Sequence, residues 1–236
     1  NLTLPVQSDT DGASGGASDG LQSCDTSTKS VNQSIFDYIR EHGRTYHSYH
    51  SGSYPFPNDK PENDRMDVQH EIWKVIFRFR NHFAPLKDPR KILDIGCGTG
   101  VWAIEMGMQY PNTSVIGTDL SPIQPEWVPS NVKFVIDDAN EDDWMVEPQD
   151  YVHTRLLLGC FEDFRDIVAK GYRALKPGGW MESQDIMPTV YCDDDYAARL
   201  SFCHVGEDSR QSRHESRQAH AHWQQVEAMV RASWIC

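Results

Sequence analysis

The chain has 236 residues, and its 39% hydrophobic content is enough for one α/β domain with additional segments. Its 35 Asp and Glu residues outnumber 22 Lys and Arg residues, and the net charge of −13 would repel the phosphate backbone of a nucleic acid. No apolar run approaches the roughly 20 residues of a membrane span, so neither nucleic acid nor a membrane is an expected partner. The six cysteines are scattered without ligand spacing, so we expect no disulfide framework and no metal site, and a cytoplasmic or nuclear location.

The N-terminal third carries two predicted segments. Residues 1–30 are rich in Ser, Gly and Asp and are predicted to be disordered, because they cannot bury enough apolar surface. Residues 31–89 are predicted to form a helical and irregular extension, with a short helix in "NQSIFDYIREHG" followed by a tyrosine-rich stretch. That stretch is either a surface loop or an aromatic lid. A second helix is predicted over 62–83, with Ile72, Ile76, Phe79 and Phe83 on a face that packs in the core.

From residue 90 the pattern changes to strands that alternate with helices. The strands are "KILDI", "SVIGTDL", "VKFVIDDA", "DYVHTRLLL" and "WMESQDI", and the helices are "GVWAIEMGMQY" and "FEDFRDIVAKGYRALKPGG". Short apolar strands that alternate with helices predict a mostly parallel sheet with helices on its faces. Residues 90–190 are therefore predicted to form a Rossmann-like α/β core.

Three glycines follow the first strand of this core. Gly96, Gly98 and Gly100 let the backbone turn sharply and come close to a ligand without a Cβ in the way. In open parallel sheets ligands bind beyond the carboxyl ends of the strands, where this loop lies. The start of the next helix offers free N–H groups there.

Acidic side chains end the second and third strands of the core. Asp119 at the end of the second strand can accept both hydroxyls of a ribose. At the end of the third strand, Asp138 can accept the exocyclic amine of an adenine, and the backbone of Ala139 can meet the ring edge. Together with the glycine loop, these residues predict an adenosine pocket.

The run from Asp94 to Gly100 has the spacing D-x-G-x-G-x-G. This spacing resembles motif I of the class I S-adenosylmethionine-dependent methyltransferases, and "LKPGGWMES" resembles the segment that leads into their fifth strand. The alternative, a nicotinamide dehydrogenase, is disfavoured because its pattern is G-x-G-x-x-G. The resemblance covers about residues 90–186 and implies S-adenosylmethionine as the cofactor and a class I methyltransferase fold.

The segment before the core narrows the resemblance. "YHSYHSGSYPFPNDKPENDRMDVQHEIW" is similar to the N-terminal signature of LaeA-like fungal methyltransferases. It implies that Tyr54 and the helix from Arg65 to His70 cover the cofactor. The resemblance as a whole implies that the cofactor is bound by Tyr54, Asp94, Gly96, Cys97, Gly98, Gly100, Asp119, Leu120, Asp138 and Ala139.

The implied reaction is methyl transfer from a sulfonium to a nucleophile, which depends mainly on alignment and exclusion of water. His153 and Arg155, at the end of the fourth strand, are the catalytic candidates, although His153 is equally consistent with a structural histidine. A small-molecule acceptor of fungal secondary metabolism is expected. The alternative is a methyltransferase-like regulator that acts through contacts with a partner protein.

Residues 191–236 form a polar tail that departs from the family pattern. A complete class I methyltransferase has two further strands after "WMESQDI", and the tail shows no strand-like alternation that would supply them. A back-translation of Glu215–Cys236 shifted by one base can encode a run ending in W-L-E-Q-A-G-F, which resembles the family's stretch before its sixth strand. The hypothesis is that a change of reading frame near 196–203 produced this tail and removed the two strands.

Overall fold

The computed structural model describes residues 2–3, 29–30, 33–142, 144, 146–157 and 159–186. The strands are β1 (Leu2–Thr3), β2 (Lys29–Ser30), β3 (Ile39–Glu41), β4 (Arg44–Tyr46), β5 (Lys91–Ile95), β6 (Ser114–Asp119), β7 (Val132–Ile136), β8 (Gln149–Arg155) and β9 (Leu175–Gln184). The helices are α1 (Lys60–Ile76), α2 (Val101–Gln109) and α3 (Phe164–Ala174), with a 3-10 turn at Gln33–Phe36. The predicted polar tail, and most of the segment predicted to be disordered, lie outside the described residues.

The central sheet has five parallel strands in the order β7-β6-β5-β8-β9. Strand β1 adds to β7 in antiparallel orientation and β2 adds to β1, each over two residues. The predicted mostly parallel α/β core is therefore confirmed. The chain runs from β5 through β6 to β7 in one direction and then returns to β8 and β9 on the other side. This reversal opens a crevice at the carboxyl ends of β5 and β8.

The two faces of the sheet bury separate apolar layers, because successive strand residues point to opposite faces. On one face, Ile92 packs with Trp102 and Met106 of α2. On the other face, Leu93 and Ile95 pack with residues of α3 and its approach. The helix predicted in "FEDFRDIVAKGYRALKPGG" buries Phe164 and Ile167 in this layer. That helix begins at the cap Asp163, later than predicted, and "LKPGG" lies in β9 instead of ending the helix.

The short helix predicted in "NQSIFDYIREHG" is wrong beyond its first turn. Residues 39–46 form a hairpin of β3 and β4, in which Glu41 pairs with Arg44 across a two-residue turn. His42 and Gly43 both have positive φ, 49° and 82°. Two such residues form the tight turn whose twist matches that of paired strands. The turn chemistry of His-Gly therefore prevails over the helical spacing of the preceding apolar residues.

The predicted packing face of the helix before the core is also wrong. Helix α1 ends at Ile76, and Arg78 and Phe79 follow in left-handed backbone conformations. The four side chains that the spacing assigned to the core are all more than half exposed: Ile72, Ile76, Phe79 and Phe83. Helix α1 instead buries Trp73 and His70, which lie on an adjacent side of the helix. None of the helices in the described part of the chain combines the length and the apolarity that crossing a membrane requires.

Candidate functional site

A cavity of about 630 Å³ lies at the carboxyl ends of β5, β6, β7 and β8, beneath α1 and the segment 53–58. It is lined by nearly all the residues that the sequence nominated: Tyr54, Asp94, Gly96, Cys97, Gly98, Asp119, Leu120, Asp138, Ala139, His153 and Arg155. The exception is Gly100, which lies behind the loop against Phe134. Residues from six separate segments of the chain therefore meet in one cavity.

The glycine loop is held from both sides. Gly98 has a φ of 55°, and its N–H donates to Asp119 Oδ2 at 2.8 Å. The amide of Gln124 donates to the Gly98 carbonyl at 2.6 Å, which fixes the loop from below. The Cys97 thiol beside it is partly buried, and its desolvation raises its pKa well above the ordinary value, so it remains a neutral packing group. The loop is thus preformed for close approach by a ligand.

Asp119 links the glycine loop to the end of β6. In addition to Gly98, the Ser121 N–H donates to Asp119 Oδ1 at 2.9 Å. Burial raises the pKa of Asp119 to about 6, although the backbone N–H groups oppose the rise. Each carboxylate oxygen accepts one of these bonds and keeps capacity for another. The side chain can therefore hold the loop and still accept ligand hydroxyls.

Asp138 has more polar contacts within the protein than its sequence position indicated. His50 Nδ1 lies 2.7 Å from Asp138 Oδ2, and the backbone N–H and side-chain amide of Asn140 both donate to Oδ1. Burial would raise the pKa of Asp138, but the bonds from His50 and Asn140 hold it below the ordinary value. Sequence reasoning missed His50, and no local signal marks it, because it is 88 positions away from Asp138.

Asp94 and His153 face each other on neighbouring strands, β5 and β8. His153 Nδ1 lies 2.7 Å from Asp94 Oδ1, and both side chains are buried. The imidazole stacks on the Trp102 ring at a centroid distance of 3.6 Å and an interplanar angle of 8°. Its other nitrogen, Nε2, is buried without a hydrogen-bond partner among the described residues. The contacts with Asp94 and Trp102 fix the orientation of the His153 ring.

Helix α1 is attached to the glycine loop and to α2 by polar contacts. Thr99 Oγ1 donates to Asp67 Oδ1 at 2.7 Å. Lys74 Nζ donates to Glu105 Oε1 at 2.6 Å. The Met66 sulfur lies beside Gly98, 3.4 Å from the position that a Cβ would take there. These contacts place the helix over the cavity and support the lid interpretation of this segment.

His70 joins α1 to β8. Arg155 Nη1 lies 3.0 Å from His70 Nδ1, and His70 Nε2 lies 3.4 Å from Glu105 Oε2. Because a guanidinium can only donate, Nδ1 must accept and the neutral imidazole carries its proton on Nε2. Burial lowers the pKa of His70, against the attraction of Glu105, and the charges of Arg155 and Lys74 lower it further.

This contact predicts a pH dependence for the stability of the fold. A folded-state pKa below the ordinary 6.5 means that unfolded His70 binds a proton more readily, so its contribution is present above about pH 6.5 and is lost as pH falls. We expect the free energy of unfolding, measured with urea, to fall more between about pH 7.5 and about pH 5.5 in the wild type than in His70→Gln. The excess cannot exceed about 1.4 kcal/mol per pH unit.

Glutamine is a suitable comparison because its amide can accept from Arg155 and donate towards Glu105 without titrating. Asp119 and Asp137, whose pKa values burial raises to about 6, change stability in the opposite direction as pH falls. They are present in both proteins and cancel in the difference. Equal losses in the two proteins would contradict the assignment to His70.

One group of side chains in the described residues has the types of ligand that metals use. Atoms of His70, Glu71 and Glu105 lie within 4.8 Å of one another. The ammonium of Lys74, however, is 2.6 Å from Glu105 and 3.7 Å from Glu71. It occupies both carboxylates and neutralises part of the negative charge that would attract a cation, so we assign no metal to this group.

Comparison with known proteins identifies the family of this chain. Residues 68–232 match the sequence profile of a methyltransferase domain family. The chain belongs to this family. The methyltransferase relationship predicted from the glycine motif is thereby confirmed, and the relatives described next confirm the LaeA-like relationship predicted from the upstream signature. The match begins within α1 and includes every strand of the parallel sheet and the glycine loop, whereas the segment 53–58 and the first part of α1, which cover the cavity, precede it.

Curated relatives come from fungi. The chain is 47% identical to methyltransferase pytC of Aspergillus terreus over 174 residues, 72% of this chain and 53% of that protein. It is 42% identical to secondary metabolism regulator LAE1 of Cochliobolus heterostrophus over 161 residues, 65% of this chain and 52% of that protein. It is 35% identical to protein-methionine methyltransferase laeA of Emericella nidulans over 160 residues, 66% of this chain and 43% of that protein. The chain spans about half the length of these relatives.

Proposed function

We propose that this protein is an S-adenosylmethionine-dependent methyltransferase of fungal secondary metabolism. The observation that carries the proposal is Asp119, which ends β6, holds the Gly98 N–H and faces the cavity. A carboxylate in that place can accept both hydroxyls of a ribose while the glycine loop follows the rest of the nucleoside. Membership of the methyltransferase domain family and the fungal relatives support the same function.

The residues present fit this cofactor. The cavity volume of about 630 Å³ is in the usual range for small-molecule sites. Three buried polar atoms of its lining have no hydrogen-bond partner among the described residues: both amide atoms of Asn58, and His153 Nε2. Buried polar atoms normally form hydrogen bonds, so these unpaired atoms are consistent with a polar ligand. A pure apolar ligand would leave them unpaired.

The roles of the residues follow from their positions. Asp119 would accept the ribose hydroxyls, and Asp138 and Ala139 would border the adenine. Asp94, oriented by His153, would face the ammonium at the amino acid end of the cofactor. When bound, the sulfonium supplies an already reactive methyl group. The chain's own task is alignment and exclusion of water, which α1 and Tyr54 provide from above. No residue of the cavity has to act as a nucleophile.

We propose that the methyl acceptor is a small molecule. The relative named protein-methionine methyltransferase raises a protein thioether as another acceptor class. A second candidate function is a regulator that works through protein contacts. It is favoured by the relative named regulator LAE1 and by the exposed apolar side of α1, where Ile72 and Ile76 are more than half exposed.

Calorimetric titration of the purified protein tests the proposal. We expect S-adenosylmethionine to bind with a micromolar dissociation constant and NADH to give no heat of binding, because the loop lacks the dinucleotide spacing. Circular dichroism of the same sample reports whether it is folded. A folded sample that binds neither compound would contradict the enzyme and favour the regulator. Binding of NADH alone would contradict both.

A further inference from the structure

Arg155 is a partly buried cation at the carboxyl end of β8. It is the last residue of β8, and its side chain lines the cavity. Its Nε donates to Gln184 Oε1 at 2.8 Å, and Nη1 donates to His70 Nδ1 at 3.0 Å. The guanidinium carbon lies 5.8 Å from the centre of the Trp73 ring. All of these partners are neutral, so none balances the charge.

The nearby acids are already bound to other donors. Asp94 is paired with His153 at 2.7 Å, and Glu105 with Lys74 at 2.6 Å. Glu182 accepts the N–H groups of Phe83 and Ala84 and the hydroxyl of Tyr151. Among the described residues, no carboxylate comes within salt-bridge distance of Arg155.

A charge without a counter-charge is costly for the fold even where it is only partly buried. Burial lowers the pKa of Arg155, against the more distant attraction of Asp94. A charge that leaves water without a counter-charge loses hydration energy, and charged groups perturbed in this way cluster at functional sites. A guanidinium has five N–H donors, and the contacts with Gln184 and His70 use two of them. The remaining donors form a fork that matches a carboxylate.

We propose that Arg155 is a carboxylate-binding site of the cavity. The carboxylate belongs either to the amino acid end of the cofactor or to the methyl acceptor. Asp94 on the adjacent strand supports the first source. Its carboxylate and the Arg155 guanidinium together match the ammonium and the carboxylate of an amino acid. The inference rests on the proposed function and extends it, because it names the chemical group that this unassigned cation recognises.

Calorimetry with two ligands tests the first source. S-adenosylhomocysteine carries the amino acid end, whereas 5′-methylthioadenosine shares its nucleoside and thioether and lacks that end. In the wild type we expect S-adenosylhomocysteine to bind more tightly. In Arg155→Gln we expect that preference to fall by about 10- to 100-fold, the range of one charge-assisted interaction, with the affinity for methylthioadenosine unchanged. Arg173→Gln, an exposed change of the same kind on α3, should leave both affinities unchanged.

A second titration tests the acceptor as the source. The protein saturated with S-adenosylhomocysteine is titrated with benzoate and with its neutral isostere benzamide. If the acceptor supplies the carboxylate, Arg155→Gln leaves the preference for S-adenosylhomocysteine unchanged and abolishes a preference for benzoate over benzamide. Either loss supports a carboxylate site. If Arg155→Gln changes neither preference, the inference is overturned.

The methylthioadenosine titration separates this inference from the proposed function. If the wild type binds neither nucleoside ligand, the proposed function fails and the inference fails with it. If methylthioadenosine binds and Arg155→Gln changes neither the preference for S-adenosylhomocysteine nor the preference for benzoate, only the inference fails. Binding of methylthioadenosine by the variant also shows that its pocket is folded. Should Arg155→Gln not fold, Arg155→Lys keeps the charge without the fork and is expected to lose part of the same preference.

Discussion

Replacing Asp119 by asparagine is expected to weaken the binding of S-adenosylhomocysteine by about 100-fold or more. Two ribose hydroxyls would lose a charged acceptor, and hydrogen bonds to charged groups contribute about 1.5–3 kcal/mol each. The amide also has only one oxygen for the Gly98 and Ser121 N–H groups that the carboxylate now accepts. One of the two would face an NH₂ group, so the loop itself would shift. Calorimetric titration measures the loss.

The same variant is expected to remain folded. Burial raises the pKa of Asp119 to about 6, so the ionised form is held at a cost to the folded state near neutral pH. Removing the charge relieves that cost and offsets the lost N–H contact. Asp142→Asn, an exposed change of the same kind, is the matched control and should bind normally. An Asp119→Asn protein with wild-type affinity would refute the ribose role.

Replacing Gly100 by alanine is expected to lower the free energy of unfolding by about 2–4 kcal/mol. Its φ of 78° is a left-handed conformation that costs an L-residue about 1–2 kcal/mol. A Cβ there would also come within 2.7 Å of Phe134 Cε1, in a ring that is buried in the core, and overpacking costs about 1–3 kcal/mol. Urea unfolding followed by tryptophan fluorescence measures the change.

Gly52 provides the matched control for this substitution. Its φ is 89°, and a Cβ there would have nothing within 4 Å. Gly52→Ala therefore carries the backbone strain without the collision, and we expect it to lose only about 1 kcal/mol. Equal losses for the two variants would show that Phe134 moves aside. Because Gly100 does not line the cavity, the folded fraction of Gly100→Ala should bind S-adenosylhomocysteine with nearly normal affinity.

The sequence predicted the core well because its information there is local. Each strand is a short apolar run, and each loop after a strand carries its own glycine or acid. Once the strands are parallel, their carboxyl ends must share one edge, so Gly98, Asp119 and Asp138 had to come near one another. Of the nominated cofactor residues, only Gly100 turned away from the cavity, because the third glycine packs against the sheet instead of facing a ligand.

The N-terminal extension was predicted less well because its structure depends on distant contacts. Spacing alone identifies α1 as an amphipathic helix, but it does not say which side meets the sheet. Trp73 and His70 are buried because Arg155, 85 positions after His70, offers a partner for that side. The isoleucines on the other side of α1 have no such partner in the described residues and remain exposed.

What the sequence determined by itself is the parallel α/β core, its glycine loop and the acids that end its strands, because these follow from local patterns and from strand direction. The tertiary structure alone decided the contacts that span long separations: His50 on Asp138, His153 on Asp94, and Arg155 without an acid. Pairing of charges depends on which side chains meet in space, and periodicity carries no record of that. The unbalanced guanidinium became visible only when every nearby carboxylate could be assigned to another donor.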